Sequence, residues 1–423
     1  MITAAAARTL VSDAFGVMAL AMGTGWLLGV ATDAGLSMHL ARETSRHRES
    51  ARALLIDVMV VRAGMAYIAA AVVALLAGQM VPPHWKLQFV LVVLAQLTGA
   101  VLDTVAHFFR GLERSDIESA IHLAQRSVTL VLSLIVLWWW PRLDLLGAAM
   151  LAPAVVALAA AAVVAWTLAG SRIPDPGSRI PDPGSRTPDP GSRIPDSGPR
   201  YESLTFSRFL RNVLPLGIGV LLSALYFRVD LYFIERWHGL EAVGGYNAVF
   251  RLVEAARLLP AAVMAVTFPL LVNATGTDLV RRIGGWLTLG GAVCAMVAAA
   301  GAHLIVTSIY GVPYGYTASA FVVLSLALPL FFLNYALTHQ VIGWDGQYAY
   351  LLIAAAALGV NLVANYALVP TRGIVGAAIA TVVTEVVVTA GCVWALRLAG
   401  NSRSMLSAGR RPEPELSNPR ADR

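Results

Sequence analysis

The sequence is poor in charge. Only 13% of its 423 residues are Asp, Glu, Lys or Arg, whereas soluble domains carry about 25%. With 57% hydrophobic residues, such a chain has too little polar surface to face water on all sides. Lysine is almost absent, because thirty of the thirty-one basic residues are arginine and Lys86 is the exception. The two cysteines, Cys294 and Cys392, lie inside apolar stretches. They are too few for a metal-binding cluster and read as free buried thiols. There is no Walker loop, HExxH, CxxC or nucleophile elbow, so ATP-driven transport and hydrolysis lose support. The expectation is a protein that is not an enzyme and uses no cofactor and no metal. Ten-residue stretches of alternating polarity are also lacking, which argues against a membrane-spanning barrel. The net charge of +6 does not point to nucleic acid, because in so apolar a chain a basic excess records membrane orientation.

What the chain does contain is eleven apolar segments, at about 14–32, 53–78, 87–109, 120–140, 144–168, 213–235, 243–272, 282–309, 317–343, 347–369 and 373–399. At about 1.5 Å per residue, each can cross a hydrocarbon layer of about 30 Å as a helix. Helices are required there because the backbone must satisfy its own hydrogen bonds. The expected fold is therefore an all-α, polytopic transmembrane helix bundle.

Arginine is distributed unevenly between the segments. Arg42, Arg46, Arg48 and Arg52 follow the first, Arg110 and Arg114 the third, and Arg208 and Arg211 the fifth. Arg281 and Arg282 follow the seventh, and Arg403, Arg410 and Arg411 the last. The remaining gaps hold only Lys86, Arg142, Arg236 or Arg372. The asymmetry places the arginine-rich gaps and the carboxyl terminus in the cytoplasm. Eleven crossings that end inside must begin outside, yet Met1–Asp13 offers no means of export. A missing first helix resolves the conflict and gives two pseudo-symmetric lobes of six helices.

Between the lobes stand four copies of Ser-Arg-x-Pro-Asp-Pro/Ser-Gly, from Ser171 to Arg200. This composition favours an extended or turn-rich chain with no core. It reads as an inert linker or a docking element. The expected organisation is an N-terminal lobe at 1–170 with five visible helices, a cytoplasmic linker at 171–205, a C-terminal lobe at 206–400 and a disordered tail at 401–423. The sequon Asn273–Thr275 lies on the expected cytoplasmic side, which discounts glycosylation. Gly25-x-x-x-Gly29 is a candidate helix-packing face.

Three stretches carry a family resemblance. In "NLVANYALVPTRGIVGAAIATVVTE", Asn361, Asn365, Val369, Pro370, Gly373, Gly376, Ala377, Ala378, Ala380 and Thr381 resemble the turn from the penultimate to the last helix of the polysaccharide transporter (Wzx-type) flippases of the MOP superfamily. Pro370 and Gly373 suit a tight turn, and the small residues after them suit close helix packing. The stretch Phe227–Leu271, with "VGGY" and a late proline, and the stretch Phe15–Glu43, with "DAGL" before a basic loop, resemble other helices of the same family.

The resemblance implies transport of lipid-linked, undecaprenyl-pyrophosphate saccharides for surface polysaccharide by alternating access. The implied partners are a lipid-linked saccharide, membrane lipid, and polysaccharide polymerase or glycosyltransferases, and the implied location is the cytoplasmic (inner) membrane. A MATE-like drug/cation antiporter and a truncated, non-transporting scaffold of a glycan-assembly complex are the alternatives.

Ionisable residues inside spans cost about 2.5–3.5 kcal/mol each and face a cavity or a partner. Arg62, Arg228, Arg251 and Arg257 are the candidate pyrophosphate-binding residues, because the arginine fork matches phosphate oxygens. Asp57, Asp103, His107, Asp230 and Glu254 are candidate supporting charges. Glu254 is expected to hold Arg251 and Arg257, and Asp103 to pair with His107. Glu385 is a further buried charge with no assigned role. His303 and His339 read as packed or interfacial.

Overall fold

A computed structural model describes residues 1–170, 214–272 and 277–409. The Ser171–Arg200 repeat, Arg208, Arg211, the sequon at 273–275, Arg410 and Arg411 lie outside the described residues. Among the described residues there are helices and no strands. In chain order these are α1 (Ile2–Thr9), α2 (Ser12–Asp33), α3 (Leu36–Arg46), α4 (Ala51–Met80), α5 (Lys86–Gly111), α6 (Ser115–Trp139) and α7 (Leu143–Gly170). They continue as α8 (Leu214–Tyr226), α9 (Val229–Ala256), α10 (Leu258–Val272), α11 (Asp278–Ala300), α12 (Ala302–Tyr310), α13 (Ala318–Ser325), α14 (Leu328–Gly343) and α15 (Gln347–Gly409).

Eight described stretches are long and apolar enough to cross a membrane, or nine if the pair bent by 44° around residues 326–327 is one span. Pro329 explains that bend, because it has no N–H to offer the Ser325 carbonyl one turn back. Two of the eight, Gly217–Phe268 and Gln347–Ala399, are hairpins. Gly239 (φ 78°) and Gly373 (φ 54°) break them in a backbone region open mainly to glycine. The reversal is visible in the side chains. Tyr246 lies beside Asp230 across the Gly239 turn. A Cβ on Gly376 would lie 2.5 Å from the Leu368 carbonyl oxygen. On a straight helix such partners would stand more than about 10 Å apart. The two turns also touch, since His238 Nε2 lies 2.7 Å from the Val369 carbonyl oxygen.

Local chemistry explains the first corner as well. Ala34 and Gly35 turn left-handed between α2 and α3. Asp33 accepts from the N–H groups of Gly35 and Ser37, each at 3.3 Å, satisfying donors that a helix start leaves open. The buried face of α3 carries Leu36 and Leu40, and Arg42 and Arg46 point away from it.

Helices α2 to α7 pack around α5, and α8 to α15 pack around α14 and α15. Helix α2 lies between the two groups, against α5 on one side and against α8 and α9 on the other. Gly25 and Gly29 sit where Gln96 and Ala100 of α5 approach, so that glycine pair is a packing face. On the α9 side, Gly16 lies directly against Leu240 and Gly244 against Phe15. Near this end, α1 is tied to α12 by Arg8, which donates to the carbonyls of Ser308 and Ile309.

Candidate functional site

Of the four candidate arginines, the structure sets Arg62 apart. It is 1% exposed, on α4, and its guanidinium is consumed by the protein. Nε donates to Thr104 Oγ1 at 3.1 Å, Nη2 to the Gly29 carbonyl at 3.1 Å, and Nη1 to Thr32 Oγ1. Asp33 stands 4.0 Å away. Arg62 therefore pins α4 to α2 and α5 and leaves few donors for a ligand.

The other three meet at α9. Arg228, 5% exposed, stands at the break before α9. It donates to Glu254, and its guanidinium packs against Trp26 and Phe250. Arg251 Nη1 donates to the other Glu254 oxygen at 3.0 Å. Glu254 thus holds Arg228 and Arg251, not Arg251 and Arg257. The i, i+3 spacing placed Arg251 in reach, but the break at Arg228 brings in a partner 26 residues away that spacing could not reveal.

Arg257 has no carboxylate partner among the described residues. Its guanidinium lies 4.3 Å from the centre of the Phe227 ring and 4.9 Å from that of Phe331. Two aromatic faces hold the cation in place without using its N–H donors.

Arg257 and Glu254 line a cavity of about 290 Å³ formed by α8, α9, α14, α15 and the Trp26–Val30 side of α2. The other polar walls are Ser223, Asn334, Thr338, His339, Tyr350 and Glu385. Rings of Tyr226, Phe227, Phe331 and Tyr335 complete it. His339 is packed, stacked 4.7 Å from Tyr335 and edge-on to Phe268. Arg251 is not part of this wall.

The supporting charges divide in the same way. Asp230 is buried, with its carboxylate met by the Leu231 N–H at 2.9 Å and Tyr246 beside it. Asp103 does not pair with the His107 ring. Its carboxylate, 58% exposed, faces His122 of α6 at 3.5 Å, while His107 Nδ1 lies 2.8 Å from the Asp103 carbonyl. A helical i, i+4 step brought His107 to the backbone instead of the carboxylate. Asp57 is exposed on α4. His303 is exposed near the α12 turn. Asn361 and Asn365 are turned inward, where Asn365 donates to Asn361 and Asn361 to Thr384. They build the joint between the arms of α15 and do not reach the cavity. Cys294 and Cys392 are free thiols.

Glu385 was legible only as a buried charge. Its place in the cavity depends on the α15 hairpin, which brings the second arm beside α14.

Residues 2–275 match the family described as "Polysaccharide biosynthesis protein". No protein of curated function matches the chain. Among solved structures, the lipid II flippase MurJ in an inward closed conformation superposes with a TM-score of 0.65 at 11% identity, covering 96% of this chain and 87% of that one. A Vibrio cholerae MATE transporter, VcmN, gives 0.61 at 16% identity, covering 95% and 92%. A MOP-superfamily transporter from Pyrococcus furiosus, described as having a binding pocket of reversed polarity, gives 0.58 at 16%, covering 95% and 88%. The fold is the helical bundle of these transporters, and the chain belongs to the polysaccharide biosynthesis protein family.

Proposed function

We propose that the protein is a flippase that carries a lipid-linked saccharide across the cytoplasmic membrane by alternating access, with the arginine-rich end in the cytoplasm. The observation that carries the reading is Arg257, a guanidinium at membrane depth that faces a cavity and is held by rings instead of a carboxylate. Keeping a cation there is costly, and an anionic ligand would compensate it. A phosphate or pyrophosphate matches the free fork of donors. Behind the wall, Arg228 and Arg251 both donate to Glu254, so that carboxylate is already engaged and is not free for the cations a drug antiporter would carry. Family membership supports a role in polysaccharide assembly, and the fold supports lobes that rock about a shared seam.

The test is Arg257→Lys beside Arg257→Ala. Lysine keeps the charge and loses the fork. Both variants should insert and fold, lose about 90% or more of surface glycan export, and accumulate lipid-linked precursor on the cytoplasmic side. Export at the normal rate by Arg257→Ala would refute the reading.

A further inference from the structure

The same cavity holds a second charged group that phosphate binding leaves unused. Glu385 is 2% exposed. One carboxylate oxygen, Oε2, accepts from Asn334 Nδ2 at 2.7 Å. The same Nδ2 donates to the Glu385 carbonyl at 3.0 Å, and Asn334 Oδ1 accepts from Thr389 Oγ1 at 2.8 Å. These bonds settle which way the Asn334 amide points, and the amide fixes the carboxylate in turn. The second carboxylate oxygen has no protein donor among the described residues, and the side chain lines the cavity. No ion pair joins Glu385 to Arg257 across it.

A carboxylate can only accept hydrogen bonds, and a guanidinium can only donate them. A ligand that fills this cavity must therefore donate at one end and accept at the other. A bare anion satisfies Arg257 and is repelled by Glu385. A bare cation suits Glu385 but leaves the donors of Arg257 unmatched. A ring bearing several hydroxyls meets both demands without charge, since each hydroxyl donates and accepts. The wall suits such a ring in two further ways. Tyr335, stacked on His339 by one face, lines the cavity beside the polar groups and adds apolar ring surface there. The hydroxyls of Ser223 and Tyr350, 2.9 Å apart, can turn to give or to take.

We propose that the Glu385 side of the cavity is a saccharide subsite, in which Glu385 accepts hydroxyls of the sugar adjoining the phosphate and Tyr335 packs against its ring. Asn334 is the positioning residue. The subsite rests on the phosphate reading, because it places the sugar one bond from the group on Arg257.

Photo-cross-linking in the cells that make the glycan tests it. Tyr335→p-benzoylphenylalanine and, at the cavity rim, Trp26→p-benzoylphenylalanine are irradiated with precursor labelled separately in sugar and in lipid. Mild acid then cleaves the bond between sugar and pyrophosphate. The adduct at 335 should keep the sugar label and lose the lipid label. Adding Glu385→Gln, which keeps the size and the Asn334 contact, should cut that adduct about tenfold while leaving the one at 26 in place.

An adduct at 335 that keeps the lipid label overturns the subsite, as does one at 26 alone. An undiminished adduct in Glu385→Gln removes Glu385 from recognition. No adduct at either position sinks the phosphate reading too. Melting of each variant in detergent separates lost binding from lost folding, and the cross-link at 335 tests the subsite even if Glu385→Gln does not fold.

Discussion

Gly16 is the place where one added methyl group should do most damage. A Cβ there would lie 1.9 Å from the Leu240 carbonyl oxygen and 2.5 Å from its carbon. Carbon and oxygen approach to about 3.3 Å at closest, so Gly16→Ala must drive α2 and α9 apart by about 1.4 Å. Both contacts are backbone, and no rotamer can yield. A gap of about 1 Å already forfeits up to half of the dispersion energy of the facing atoms. The seam next to it is densely filled by Phe15, Val243 and Tyr246, all fully buried. A cost of about 1–3 kcal/mol follows from overpacking, expressed as a lower melting temperature in detergent.

The opening itself can be read chemically. Ala248 lies one turn along α9 from Gly244 and is fully buried. In a background with Cys294 and Cys392 changed to serine, Ala248→Cys should resist a small thiol reagent in the native protein and react once Gly16→Ala is added. Unchanged melting together with an unreactive cysteine would refute the account of the seam.

Other expectations follow from single contacts. Arg62→Met removes the three hydrogen bonds to Thr32, Thr104 and the Gly29 carbonyl and should cost about 2–4 kcal/mol, read as melting, without changing the cross-link at position 335. Glu254→Gln leaves two arginines uncompensated and should cost about 3 kcal/mol; adding Arg251→Gln should recover part of this in a double-mutant cycle. Gly373→Ala forces a left-handed backbone on a residue with a side chain and should cost about 1–3 kcal/mol, with little loss if the turn is instead pliable. A cysteine at Arg372 should react with an impermeant thiol reagent in intact cells and one at Arg46 should not; the reverse pattern would invert the proposed orientation.

Long apolar segments were the most legible part of this chain, because a run of about 20 apolar residues states its own structure. The turn at Pro370 to Gly373 was legible for a similar reason, since both residues act on their own backbone. The breaks at Arg228 and near Leu326 were hidden inside continuous hydrophobic runs, where periodicity cannot see a bend. The partners of the buried charges were hidden more deeply. Arg62 looked like a ligand-binding residue because its depth in the span was visible and its acceptors were not. Thr32, Thr104 and the Gly29 carbonyl belong to two other helices, and only packing brings them to it. Arg257 and Glu385 were each recognisable as costly, but 128 residues separate them, and their common cavity exists only once the two hairpins have closed.

The contact between those hairpins has a mechanical meaning. His238 reaches from one glycine turn to the backbone before the other, and Tyr246 hydrogen-bonds to Thr381 of α15 at 3.3 Å. A corner braced at two places resists shear, so α8, α9 and α15 are set to travel as a single plate. Arg257 and Glu385 are both mounted on that plate. In the alternating access proposed above, any rotation of these helices should leave the spacing between donor fork and acceptor oxygen unchanged. A headgroup would be gauged against a fixed ruler at loading and against the same ruler at release. On the proposed function, the change that lets it go would then come from the other walls, α14 and the Trp26–Val30 side of α2.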